Sequence, residues 1–180
     1  KQVNYQWGTV DGQWQQTSAI NNINWSGTDF ADDIDTSKGE PAAGYQDQVY
    51  AGAGDDVIST GKGRDDIYGQ EGDDTIDGGA GYDLTDYVSA LTAVNVVLGG
   101  TGVGTAQDGL GGTDTLINIE AVNGSAFDDT LTGSDSGIFE SFEGGSGNDI
   151  IDGRGGIDRV DYSHSYAGVA VNLSTGVAND

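Results

Sequence analysis

The sequence predicts an all-β chain wound as a coil of short strands. A nine-residue unit repeats in tandem, glycine stands far above ordinary usage at 32 of 180 residues, and the stretch 87–107 carries apolar residues in near alternation. The clearest repeats fill 51–86 and read AGAGDDVIS, TGKGRDDIY, GQEGDDTID and GGAGYDLTD. They share the template Gly-Gly-x-Gly-x-Asp-x-U-x, in which U is a large aliphatic residue. Ile58, Ile67 and Ile76 set the register and so assign Asp56, Asp65 and Asp74 to position six, called slot six below; the next copy adds Asp83.

Taken in order, residues 1–26 differ from the rest: Tyr5, Trp7, Trp14 and Trp25 lie among Gln, Asn and Thr with almost no charge. Short strands with polar turns such as Asp11-Gly12 are expected there. The aromatics serve either as a cap on the open end of a repeat stack or as a platform for sugars. Residues 27–35 fit the template loosely through Asp32 and Ile34, an insertion around Gly39, Glu40 and Pro41 follows, and 42–50 is a degenerate copy with Asp47 and Val49.

Beyond the clear block, Val94, Val96 and Leu98 mark strand material, and 109–117 is an imperfect copy with Gly111, Gly112, Asp114 and Leu116. A spacer is expected at 118–123. The phase returns at 124–132 with Asp129 and Leu131; 133–143 is longer and places Glu140 and Phe142 in the Asp and aliphatic slots. Two good copies at 144–152 and 153–161 carry Asp149, Ile151, Asp158 and Val160. A second period of 75 residues lays 78–98 on 153–173, and after a short gap 104–108 on 176–180. The expected division is an aromatic N-terminal strand region or cap over 1–41, a first repeat block over 42–86, a strand-rich spacer over 87–123, a second block over 124–161, and the start of a further spacer unit over 162–180.

Charge and composition narrow the function. Asp and Glu number 30 against 6 Lys and Arg, a formal charge of -24, so self-repulsion loads the folded state unless cations neutralise it. Nucleic acid and anionic membrane surfaces are poor partners. There is no cysteine, which removes disulfides and Cys-ligated zinc. No apolar run reaches the length of a membrane span, and the N-terminus lacks the pattern of a secretory signal. With no methionine anywhere, the chain is expected to be a segment of a larger protein.

The spacing explains what neutralises the charge. Glycines at positions one, two and four are expected to take positive φ, turn the chain tightly and let carbonyl oxygens converge on a cation. The residues x-U-x then form a short strand with one inward side chain. Two units make a turn of 18 residues, so Asp47, Asp65 and Asp83 fall on one edge of the coil, Asp56 and Asp74 on the other. Carboxylates stacked at the strand spacing of roughly 4.8 Å repel by roughly 3 kcal/mol per pair at an effective dielectric near 20. Several such pairs approach a domain's whole stability of about 5 to 15 kcal/mol. Hard oxygen donors without thiols or histidine clusters favour calcium, several ions of it, and the coil is expected to be largely unfolded without them.

On these motifs the chain resembles the repeats-in-toxin (RTX) family of bacterial proteins exported by type I secretion. The close matches cover 42–86 and 144–161, and the piece GGTDTLINIEAVNGSAFDDTLTG resembles the spacers between repeat blocks in large RTX adhesins and exoenzymes. The resemblance implies a parallel β-roll (β-solenoid) with flanking non-repeat strands, calcium in the loops, and folding after export to the extracellular space or cell surface. It implies as ligands Asp47, Asp56, Asp65, Asp74, Asp83, Asp129, Asp149 and Asp158, with loop carbonyls of Gly52, Gly54, Gly61, Gly63, Gly72 and Gly81. Departures are Thr85 at an aliphatic slot, Ala51 and Thr60 at position one, Gln70 at position two, and Glu140 for Asp.

No enzymatic activity is expected. His164 is the only histidine, too few for a zinc protease helix; Asp161, Ser163 and His164 lack a nucleophile elbow, and no Asp-Pro bond is present for self-cleavage. The expected role is a calcium-folded structural module. The alternatives are a glycan-binding adhesin module using the N-terminal aromatics, and the C-terminal folding part of an exoenzyme.

Overall fold

The computed structural model describes residues 24–37 and 44–165, together with the backbone of strands at 170–172 and 177–179. The described elements are all strands. One sheet runs β1 (Asn24–Ser26), β3 (Gln48–Ala53), β6 (Asp66–Glu71), β9 (Leu84–Asp86), β13 (Ala121–Asn123), β15 (Ser141–Glu143) and β17 (Arg159–Val160), every neighbour parallel. The other runs β2 (Asp33–Asp35), β4 (Val57–Ser59), β7 (Thr75–Asp77), β12 (Thr113–Ile117), β11 (Val103–Gln107), β10 (Asn95–Val97), β14 (Thr130–Thr132) and β16 (Ile150–Asp152). The chain alternates between the sheets through the repeats, which is the parallel β-solenoid that the family resemblance implies.

Most strands are three residues long and bury their central residue, while the longer β3 and β6 bury two alternate residues. On the first sheet the register stacks Trp25, Val49, Ile67, Thr85, Val122, Phe142 and Val160 in one file. On the second it stacks Ile34, Ile58, Ile76 and Leu116, then Ala106, Val96, Leu131 and Ile151. Apart from Thr85 and the exposed Val160 these files form one buried cluster, with Trp25 and Ile151 partly buried against it. Each fully buried aliphatic or aromatic side chain contributes about 1.5 to 3 kcal/mol, so the core is a row of modest increments repeated along the axis. Residue Val122 shows that 118–123 is no mere spacer: it supplies β13 and continues the file.

The regular climb breaks once. After β9 the chain enters the second sheet at β10, reverses into β11 and again into β12, which lies parallel to β7. The antiparallel insertion explains why the partner of Thr75 is Thr115, whereas the regular pair β4 and β7 joins Val57 to Thr75. The long sequence period recurs here in the backbone. Strands β18 (Ala170–Asn172) and β19 (Val177–Asn179) pair as Ala170↔Asn179 and Val171↔Ala178, as β10 and β11 pair Asn95↔Gln107 and Val96↔Ala106.

Loops stack as closely as strands. Short strands β5 (Lys62–Gly63) and β8 (Ala80–Gly81) pair in the loops, and Tyr45 bridges to Gly63. Position-nine aspartates close the exits from strands: Asp35, Asp77, Asp86, Asp152 and Asp161 each accept the amide two residues on. Where that position is Tyr50 and Tyr68, the rings stack instead, with centroids 4.3 Å apart.

Gly63 tests the loop stacking. Its φ is 136°, and a Cβ there would lie 1.6 Å from the Tyr45 carbonyl oxygen. Gly137 also has positive φ, at 73°, yet a Cβ there meets nothing. Urea unfolding in saturating calcium should therefore show Gly63→Ala destabilised by about 3 kcal/mol or more, against about 1 kcal/mol for Gly137→Ala. Equal losses would contradict the stacked-loop geometry.

Candidate metal centre

The slot-six residues are brought together in two ladders along the edges of the roll. All eight predicted aspartates are buried or half-buried in the described structure. Each ladder has a repeated hand-off: the amide of one slot-six residue donates to a carboxylate oxygen of the next turn. Asp47 donates to Asp65 Oδ1 (2.7 Å), Asp65 to Asp83 Oδ1 (3.0 Å), and Asp83 to Glu120 Oε2 (2.9 Å). On the opposite edge Asp32 donates to Asp56 (2.7 Å), Asp56 to Asp74 (2.9 Å), and Asp74 to Asp114 (3.2 Å). Further along, Asp129 donates to Asp149 and Glu140 to Asp158. The spacing of 18 in the sequence is thus a physical contact between neighbouring turns.

The hand-off uses one oxygen only. The Oδ2 atoms of Asp56, Asp74 and Asp83 are buried with no hydrogen-bond partner, and so is Glu140 Oε1. An orphaned charged oxygen in a dry site is costly, which makes these atoms the open valences of the structure. Burial pushes the carboxyls up: Asp56 to about 7, Asp74 to about 6, and Asp83 to about 8, the amide donors opposing the rise and neighbouring carboxylates adding to it. All the donors are hard oxygens, as a calcium-class cation requires. Among the described residues no three Asp, Glu or His side chains gather as a metal cluster, so a cation between loops must draw on main-chain oxygens as well.

The glycines have two separate jobs. Gly52, Gly54, Gly61, Gly63 and Gly72, all predicted carbonyl donors, have positive φ; Gly81 is not among the positive-φ residues. Gln70 keeps the positive φ, 73°, of the position-two glycine it replaces. Position one corrects the expectation that its glycine is needed for backbone turning. Gly69, Gly78, Gly124, Gly144 and Gly153 are not positive-φ residues; a Cβ on each would lie 2.2 to 2.8 Å from a carboxylate oxygen of its own repeat. The missing side chain is the space that the carboxylate fills. Gly61 and Gly63 carbonyls also accept the amides of Ala80 and Tyr82 in the next loop.

Degenerate copies satisfy the carboxylate from within. Thr28 gives both its amide and its hydroxyl to Asp32 Oδ2. Ser125 does the same for Asp129, amide to Oδ2 and hydroxyl to Oδ1, with Val94 donating a second bond to Oδ1. Ser134 donates its amide to Glu140 Oε2. Thr28, Ser125 and Ser134 all stand at position two, where Gly52, Gly61 and Gly79 in the clear block have positive φ. At Asp32 and Asp129 the hydroxyl at position two thus adds a donor to the carboxylate, whereas Glu140 keeps an unpartnered Oε1 beside Ser134. Sequence reasoning also missed Glu120, which fills slot six in the supposed spacer; an acidic residue two places before buried Val122 was the available signal.

With this geometry in view, a family model described as the RTX calcium-binding nonapeptide repeat (4 copies) matches residues 46–84 and 140–161. These two stretches are RTX calcium-binding nonapeptide repeats, wound here as a parallel β-roll. Comparison with curated proteins gives no match. The RTX repeat binds calcium at multiple positions, so the module has calcium as its cofactor and a structural role. The repeat family is generally non-catalytic and is typical of type I-secreted bacterial proteins. Among the described residues no helix is long and apolar enough to cross a membrane. Near the C-terminal end, His164 Nδ1 lies 2.6 Å from Glu143 Oε1 and 3.4 Å from Ser163 Oγ. Both contacts fall on one ring nitrogen, whereas a hydrolytic relay places acid and nucleophile on opposite nitrogens. Trp7 and Trp14 lie outside the described residues, and Trp25 packs against the core.

The raised carboxyls set the sign of a pH effect. A group whose folded pKa, about 6 to 8 here, exceeds its unfolded value near 3.8 adds stability below that value and loses it as pH rises through the folded pKa. In chelator, protonation should substitute for cations: β-structure by circular dichroism should grow as pH falls from about 8 toward 5. A metal-free spectrum most β-rich at the alkaline end would oppose this reading.

Proposed function

We propose that this RTX module folds when calcium binds after secretion, and that it acts as a non-catalytic structural and folding element of a larger extracellular protein. The observation that carries the reading is the set of buried, unpartnered oxygens on Asp56 and Asp74, one turn apart on one edge, and on Asp83 on the other. A divalent cation would supply the positive charge and the coordination sites these oxygens lack. Asp47, Asp65, Asp149 and Asp158 belong to the same ladders and complete the proposed ligand set, with carbonyls of Gly52, Gly54, Gly61, Gly63, Gly72 and Gly81. Asp129, already held by Ser125 and Val94, has the least need of a cation.

The repeat blocks at 42–86 and 124–161 carry the calcium in this scheme, and 87–123 joins them. Secretion fits the chemistry: extracellular calcium modules bind at about 10⁻⁴ to 10⁻³ M, so a chain kept in a calcium-poor compartment would stay unfolded until exported.

Isothermal titration with calcium separates open from closed carboxylates. Asp74→Asn should lower the number of ions bound and raise the calcium concentration at half-saturation, whereas Asp129→Asn should leave the stoichiometry unchanged. A stoichiometry unaffected by Asp74→Asn would remove the ligand assignment.

A further inference from the structure

The geometry points to a divalent-cation site at the break in the repeats, where Asp108 of the inserted hairpin supplies the carboxylate oxygen that slot-six Asp114 cannot. The site rests on the reading that Asp74 and its loop take calcium, and extends it to a residue outside the nonapeptide pattern.

Asp114 occupies slot six of the imperfect copy, yet both its oxygens are used. Oδ1 accepts the Asp74 amide at 3.2 Å, and Oδ2 accepts the hydroxyl of buried Tyr87 at 2.9 Å. The ladder would end there without an open valence. Asp108, between β11 and β12, provides one. It is 1% exposed, and its Oδ1 accepts the amides of Leu110, Gly111 and Gly112 at 2.8 to 2.9 Å. Those bonds fix the orientation of the carboxylate. Its Oδ2 is buried and has no hydrogen-bond partner.

That oxygen lies beside Gly112. A Cβ on Gly112 would lie 3.0 Å from Asp108 Oδ2 and 2.0 Å from the carbonyl oxygen of Gly72. Two oxygens from separate turns therefore flank the space left by one absent side chain. Gly72 belongs to the repeat of Asp74, whose own Oδ2 is also buried and unpartnered and whose carboxyl feels the Asp108 charge. Two carboxylates and a main-chain carbonyl are a hard, all-oxygen donor set, suited to calcium rather than to a thiophilic or imidazole-seeking metal. Such a site would tie the antiparallel hairpin to the repeat block beneath it.

Asp108→Asn is the discriminating variant, since Asn keeps the shape and an Oδ1 acceptor for the three amides while removing the charge at Oδ2. Native mass spectrometry of the full chain in saturating calcium should count one ion fewer in the variant, with an unchanged β-sheet spectrum. Equal counts overturn the Asp108 site alone; a parent chain that takes up no calcium overturns the reading of the loops themselves. Should the variant fail to fold, a calcium-loaded crystal structure of the parent chain decides. An ion between Asp108 Oδ2 and Gly72 O supports the site, and ions confined to the other loops refute it.

Discussion

The structure depends on carboxylates buried in rows one turn apart. Each slot-six residue is needed for geometry, because its Oδ1 receives the amide of the turn before it, as Asp65 receives Asp47 and Asp74 receives Asp56. The same burial concentrates negative charge along both edges of a chain already at -24. Neighbouring ionised carboxylates at the strand spacing oppose folding by roughly 3 kcal/mol per pair, comparable to what one buried Ile contributes. The apolar files and the carboxylate ladders therefore work against each other until the charge is neutralised. Protons and divalent cations are the two means of doing so, and the first fades as pH rises through about 6 to 8.

Position two is one determinant of how much a turn depends on outside charge. With Gly52 or Gly79 there, the backbone takes positive φ and an oxygen of Asp56 or Asp83 is left open. With Thr28 or Ser125 there, amide and hydroxyl close over the carboxylate. Degeneracy in the repeat is thus a change of chemistry within a constant fold, since Ile34 and Leu131 keep their places in the apolar file in either case. A roll assembled from both kinds of turn holds parts that are closed by their own donors beside parts that await a cation.

Much of this was legible in the residues. The aliphatic slot and the slot-six aspartates are local and periodic, so Ile58, Ile67 and Ile76 predicted both the core file and the register of 18. The long period laid like residues on like at a shift of 75, and β18 and β19 pair as β10 and β11 do. What escaped was non-local or lacked glycine. Glu120 and Val122 occupy a full turn without the Gly-Gly signature, because a longer connection reaches the same sheet position by another path. The bond from Tyr87 to Asp114 spans the insertion, and only the folded hairpin brings the pair together. The role of position-one glycine was misassigned for a related reason: backbone freedom and an absent side chain look identical in a sequence.

The most direct measurement is far-UV circular dichroism of the chelated chain at pH about 8 while calcium is added. The account predicts a disordered spectrum that converts cooperatively to β-sheet at roughly millimolar to submillimolar calcium and reverts with excess chelator. A chain that is equally β-rich without calcium would contradict it, since the buried carboxylates would then be tolerated unneutralised.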